Sequence, residues 1–115
     1  MAPLPSTVLG EFEALLLLAV LHITERDEEA YGSTIRAEIE SRSGRPAPRG
    51  SIYITLDRLE QKGLLTSRTG STSAARGQRP RRLFTVTPAG LRAVKASVNV
   101  LVRMQRGLER LLSRA

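Results

Sequence analysis

The 115-residue chain contains no cysteine and no tryptophan. Without thiols it forms neither disulfides nor thiolate metal sites, and an intracellular location is the default expectation. Its aromatic residues are Phe12, Tyr31, Tyr53 and Phe84 alone, too few to supply an aromatic-stacking ligand cage. The single histidine, His22, lies in an apolar segment, a setting more typical of a packed or helix-end residue than of a catalyst. No Cys/His spacing suits a metal, no glycine-rich phosphate loop precedes a helix, and no serine has a histidine partner at a recognisable distance. Neither catalysis nor a metal or other cofactor is therefore expected. The longest uninterrupted apolar run, Leu15 to Leu21, falls far short of the ~20 residues of a membrane-spanning helix. The opening MAPLPSTV lacks the basic region of a secretory signal. These absences together predict a cytoplasmic protein that does not use a membrane.

Charge is present but unevenly placed. The formal net charge is +7, yet residues 1–60 stand at −4 and residues 61–115 at +11. Clustered cations of this kind suit a polyanion, because phosphate neutralisation releases counterions. Sixteen of the eighteen cations are arginine, a ratio that genome composition explains as readily as phosphate chemistry.

The chain divides into helix, helix, helix, hairpin and long helix. Leu9 to Thr24 is rich in Leu, Ala and Glu, and is apolar on so many faces that cover from more than one side, including a second subunit, is expected. Tyr31, Ile35 and Ile39 fall at i, i+4, i+8 within an amphipathic helix over Gly32 to Ser43, which Gly44 stops. A third helix starts near Gly50 or Ser51, with Ser51 as cap, and ends at Gly63. Leu64 to Thr69 and Arg82 to Thr87 read as two short strands joined by GSTSAARGQRPR. Thr87 as cap and Pro88 at the first helical position then open a helix predicted to reach about Ser113.

On the third helix, 100° steps place Ile52, Leu56, Leu59 and Gly63 on the buried side. Ile54, Asp57, Arg58 and Gln61 face outward, flanked by Ser51, Tyr53, Thr55 and Lys62. An outward aliphatic such as Ile54 gains cover from a thymine methyl in a major groove, where Arg58 and Thr55 reach base edges or phosphates. The helix start brings free amides, Arg49 and the Tyr53 hydroxyl to a phosphate. Asp57 argues against phosphate proximity at its own position, unless it pairs with or orients a neighbour. Between residues 68 and 82 lie Arg68, Arg76, Arg79, Arg81 and Arg82 without one acid, and Gly77 and Pro80 shape the loop so that it reaches a minor groove or backbone. The layout is that of a winged helix-turn-helix.

Along the last segment, Val94, Val98, Leu101, Leu108 and Leu112 form a heptad-like seam interrupted by Gln105. With Phe12 and Leu16 of the first helix, these residues are the expected homodimer interface. Residues 1–87 then form the DNA-binding domain and residues 88–115 the dimerisation helix of one structural unit. A two-fold dimer sets two recognition helices roughly 34–36 Å apart, suited to a pseudo-palindrome in double-stranded DNA.

The segments LGEFEALLLLAVL, AYGSTIRAEIE, RGSIYITLDRLEQKGLL and RGQRPRRLFTVTPAG resemble the PadR-like family of bacterial transcriptional regulators, in its short form with one C-terminal helix. The third-helix and wing segments are specific in combination; either alone is shared with families such as the MarR-like regulators. The resemblance implies phosphate or base contacts from Ser51, Tyr53, Thr55 and Arg58, and wing contacts around Arg76, Gly77, Gln78, Arg79, Arg81 and Arg82. It implies dimer contacts from the first and last helices, and a repressor as the usual output. Some members hold a small planar effector between subunits; this sequence leaves the identity of any effector open. The competing readings are a winged-helix module for protein contacts and a nonspecific nucleic-acid-binding protein.

Overall fold

The computed structural model describes residues 9–70 and 81–115. Its elements are α1 (Glu11–Glu25), α2 (Gly32–Ser43), α3 (Arg49–Gln61), β1 (Leu65–Thr69), β2 (Arg82–Val86), α4 (Pro88–Gln105) and α5 (Glu109–Ser113). The protein is thus mainly helical with one antiparallel two-stranded hairpin, as the sequence predicts.

Helix α1 opens with the Glu13 carboxylate accepting the Gly10 amide at 3.0 Å, and acids in its first turn suit the positive end of the helix dipole. It is the central element of the core. Leu16, Leu17, Val20 and Ile23 are wholly buried, and α2, α3, α4 and β2 all pack on it. Much of the cover that its apolar girth demands comes from its own chain, where four elements converge on one helix, while Phe12, Leu15, Leu18 and Leu21 are only partly buried. Each leucine buried in this way contributes about 1.5–3 kcal/mol relative to exposure.

Helix α2 adds Ile35 and Ile39 to that core, and Gly44, at φ 73°, ends it in the left-handed region. Helix α3 starts at Arg49 behind Pro48, and no side chain caps it. Ser51 is therefore an exposed first-turn residue rather than the expected cap, because proline already fixes the extended backbone that precedes the helix. Ile52, Leu56 and Leu59 face inward.

In the hairpin Leu65 pairs with Val86, Ser67 with Phe84 and Thr69 with Arg82. Leu65, Leu83 and Phe84 are buried. The Phe84 amide also donates to the Ala30 carbonyl at 2.8 Å, tying β2 to the α1–α2 connection. Thr87 caps α4 as expected, its hydroxyl accepting the Gly90 amide at 3.0 Å, with Pro88 at the first position. The helix does not run to Ser113. It ends at Gln105, and Gly107 at φ 89° breaks the chain before α5. A left-handed residue cannot continue a right-handed helix. Beyond Val94 no residue is buried, so most of α4 and all of α5 lie outside the core.

Several ion pairs among the described residues brace the helices. Glu38 on α2 accepts from Arg26 Nη2 at 2.6 Å and Arg42 Nε at 2.8 Å. These hydrogen bonds, Arg26's first, hold its carboxyl down from 4.5 to about 2 against the opposing effect of burial. A carboxyl depressed in the folded state contributes stability above its unfolded pKa and loses it as pH falls through the folded one. Chemical denaturation should therefore show wild-type stability declining between pH 4.5 and 2. Glu38→Gln should be less stable at neutral pH and flatter across that interval.

A candidate nucleic-acid interface

Another ion pair lies beneath the candidate interface and joins α1 to the end of α3. Lys62 Nζ lies 2.8 Å from Glu13 Oε2. Burial pushes the Glu13 carboxyl up, but the Lys62 hydrogen bond, the Gly10 amide and the charges of Lys62 and Arg58 outweigh it and hold the group below its ordinary value. Lys62 is therefore turned back toward α1 rather than outward. Its expected contact with DNA competes with this pair, because the buried Glu13 carboxylate holds the ammonium through a charge-assisted hydrogen bond.

The outward side of α3 presents Ser51, Tyr53, Ile54, Asp57, Arg58 and Gln61, all exposed. Ile54 is 61% exposed among the described residues. Thr55 departs from the sequence reading. At 6% exposure it belongs to the buried flank of α3, so its hydroxyl is not available to a base edge. The 100° step places it between the core stripe and solvent, and packing against neighbouring elements decides the matter.

At the start of α3, Tyr53 leans over α2. A methyl at Gly32 would overlap the Tyr53 hydroxyl oxygen and lie 2.8 Å from its ring Cζ, so the missing side chain there creates the seat for the phenol. The Arg49 guanidinium stands 5.8 Å from the Tyr53 ring centre. Gly32, Ser33, Arg36, Arg49, Ile52 and Tyr53 line a cleft of about 280 Å³ between the two helix starts. Its cations and the first-turn amides of α2 and α3 suit a phosphate.

At the wing base, the Arg81 guanidinium stacks over Tyr31 at 4.3 Å. Arg82 reaches back to α3, with Nη1 3.2 Å from Asp57 Oδ1 and Nη2 2.5 Å from Glu60 Oε1. Glu60 Oε2 also accepts the Ser67 hydroxyl at 2.7 Å. Sequence reasoning missed this triad. Asp57 and Glu60 share a helix edge at i, i+3, but their cation comes from 25 and 22 residues away, and no local period reveals it. Arg68 is exposed on β1. Arg76, Gly77, Gln78 and Arg79 lie outside the described residues.

The expected dimer residues separate into two groups. Leu16, wholly buried, and Val94, 4% exposed, are core residues of their own chain and are not free to meet a partner. Phe12 is half-buried against that core. Val98, Leu101, Gln105, Leu108 and Leu112 are exposed, with Leu101 at 71%. Leu108 and Leu112 follow the Gly107 break, so the seam changes direction there instead of continuing one heptad register.

A helix held by α2 across a short connection, its outer face uncovered and a hairpin clamped to its edge, defines a winged helix-turn-helix DNA-binding domain. Residues 20–96 match the model of the transcriptional regulator PadR-like family. The transcriptional regulator Rv3488 of Mycobacterium tuberculosis is 34% identical over 97 residues, covering 84% of this chain and 85% of that protein. Among solved structures, a PadR family transcriptional regulator from Eggerthella lenta is 26% identical with a TM-score of 0.61, covering 83% of this chain and 80% of the other. A PadR-like transcription factor from Bacteroides fragilis shares the fold, with a TM-score of 0.68 at 18% identity over 87% of this chain and 88% of the other. The chain belongs to the PadR-like family and is a DNA-binding transcriptional regulator. No helix among the described residues is long and apolar enough to cross a membrane, and no group of three or more His, Cys, Asp or Glu among them could hold a metal ion.

Proposed function

We propose that the protein is a cytoplasmic homodimeric repressor that binds a pseudo-palindromic operator, one half-site per subunit. The observation that carries this reading is the exposed apolar row Val98, Leu101 and Met104 on α4, continued by Leu108, Leu111 and Leu112. A row of this size beyond its own core is costly in water and suits a second copy of itself. In this reading residues 1–87 read DNA and residues 88–115 pair the subunits, with Ala93 and Val94 anchoring the pairing helix to the core.

Ile54 and Arg58 take the major-groove edges, while Arg49, Ser51 and Tyr53 take phosphates. In this reading the flanking backbone is contacted by Arg76, Gly77, Gln78, Arg79 and Arg81. Occupation of an operator by the dimer blocks transcription, and a small-molecule effector favouring a different subunit arrangement would release it.

Selection from a random duplex library with the purified protein tests this. An enriched inverted repeat with half-sites roughly 34–36 Å apart is expected. Salt-sensitive binding without enrichment would indicate a nonspecific nucleic-acid-binding protein, and no duplex binding would favour a protein-interaction module. On the selected operator, Arg58→Ala should cost about 1–3 kcal/mol at one base pair in each half-site. Arg79→Ala should weaken binding to all duplexes alike and reduce the slope of log affinity against log salt by about 0.9 for each phosphate it ceases to neutralise. Both effects are read by titration at several salt concentrations.

A further inference from the structure

We infer that Asp57 determines specificity, its carboxylate accepting a hydrogen bond from the exocyclic amine of a cytosine in each half-site, and that Arg82 is the residue that positions it. The inference rests on the operator reading above. Its starting point is a misfit: an acid on the outward face of a helix that is read as entering a polyanion's groove.

Asp57 lies on that face with Ile54, Arg58 and Gln61, and its side chain is 60% exposed even while paired. The pairing does not account for its presence. Arg82 has a closer partner in Glu60, at 2.5 Å against 3.2 Å for Asp57, and the Glu60 side chain is the less exposed, at 33%. Arg82 also stacks over Phe84 at 5.0 Å, so the guanidinium is already fixed at the wing base without Asp57. What the second pairing adds is orientation. One carboxylate oxygen, Oδ1, is held toward the wing, which limits rotation of a side chain that otherwise turns freely.

A carboxylate only accepts hydrogen bonds, so in a groove it is repelled by guanine N7 and O6 and by thymine O4. The donors on major-groove edges are cytosine N4 and adenine N6. Adenine presents its amine beside the N7 acceptor, which opposes a carboxylate, whereas the cytosine amine has no adjacent acceptor on that edge. Asp57 thus penalises most sequences and favours cytosine. Arg58 and Gln61 on the same face remain available for neighbouring positions.

The test repeats the duplex selection with the wild type, Asp57→Asn and Asp57→Ala as full-length proteins. The wild type should select cytosine at one position repeated symmetrically in both half-sites, with about a tenfold preference. Asparagine supplies both a donor and an acceptor and pairs with adenine N6 and N7, so Asp57→Asn should move that one position to adenine. Asp57→Ala should leave it degenerate while binding random duplex more tightly. If all three proteins select the same half-sites, Asp57 serves only the ion pair and the inference is overturned while the operator reading stands. If the wild type selects no inverted repeat, the operator reading itself fails and takes the inference with it.

Discussion

Leu101→Asp is expected to convert the protein into a folded monomer. Leu101 is 71% exposed on its own chain, so the substitution leaves the core intact, and circular dichroism and the thermal transition of the subunit should change little. In a paired seam the new carboxylate would be desolvated without a partner, a cost of several kcal/mol. Sedimentation should show the loss of the dimer. The consequence for DNA follows from tethering: two linked half-sites bind about 10²–10⁴-fold more tightly than either alone, and that advantage disappears with the seam. A variant that still sediments as a dimer would place the subunit contact elsewhere.

The second large effect is on folding. Gly90→Ala is expected to destabilise the protein by roughly 1–3 kcal/mol, as overpacking of a close core contact does. A Cβ at this position would overlap the Leu64 carbonyl oxygen and lie 2.8 Å from Val86 Cγ1. The Leu64 carbonyl cannot simply move away, because it accepts the Thr87 amide at 3.1 Å. The Gly90 amide is itself held by the Thr87 hydroxyl, so the clash falls on the cap of α4 and on the junction where α3 meets β1. Alanine's helical propensity favours the variant by at most about 1 kcal/mol and offsets only part of this, because the clash is with backbone rather than with a flexible side chain. In thermal unfolding the midpoint should fall by roughly 4–8 °C per kcal/mol for a domain near this size. Gly50→Ala is the matched control. A Cβ there meets nothing within 4 Å, and its midpoint should hold or rise.

These two variants also separate the anchored part of α4 from the part that projects. Gly90, Ala93 and Val94 are buried, whereas Leu101 and Met104 on the same helix are largely exposed. The first half of the helix thus belongs to the stability of the subunit, and the second half lies outside its core.

Much of the architecture follows from local pattern alone. The 3.6-residue period of Tyr31, Ile35 and Ile39, the Thr87-Pro88 helix start and the shift to short strands around Arg82 each depend on neighbours within a few residues. All are therefore visible in one dimension. The inward stripe Ile52, Leu56 and Leu59, and the outward Ile54, Asp57, Arg58 and Gln61, are legible for the same reason. The family was legible too, because its helix-three and wing segments lie close together in the chain.

Other features depend on which elements meet, and local pattern does not contain that information. The girth of α1 predicts cover from several sides, but only tertiary packing shows that α2, α3, α4 and β2 supply it, which returns Leu16 to the core. Thr55 stands at the margin of its helix stripe, and packing buried it. Lys62 meets Glu13 across 49 residues, and Arg82 meets Asp57 across 25. Charge composition counts these groups as free cations and acids, but folding pairs them by bringing distant residues within hydrogen-bond reach. By itself the sequence determined the first three helices and the start of the fourth, the hairpin, the outward face of α3 and the family. The tertiary structure alone decided which apolar residues were consumed by the core and which charges were neutralised at home, because both depend on long-range contacts rather than on the order of residues along the chain.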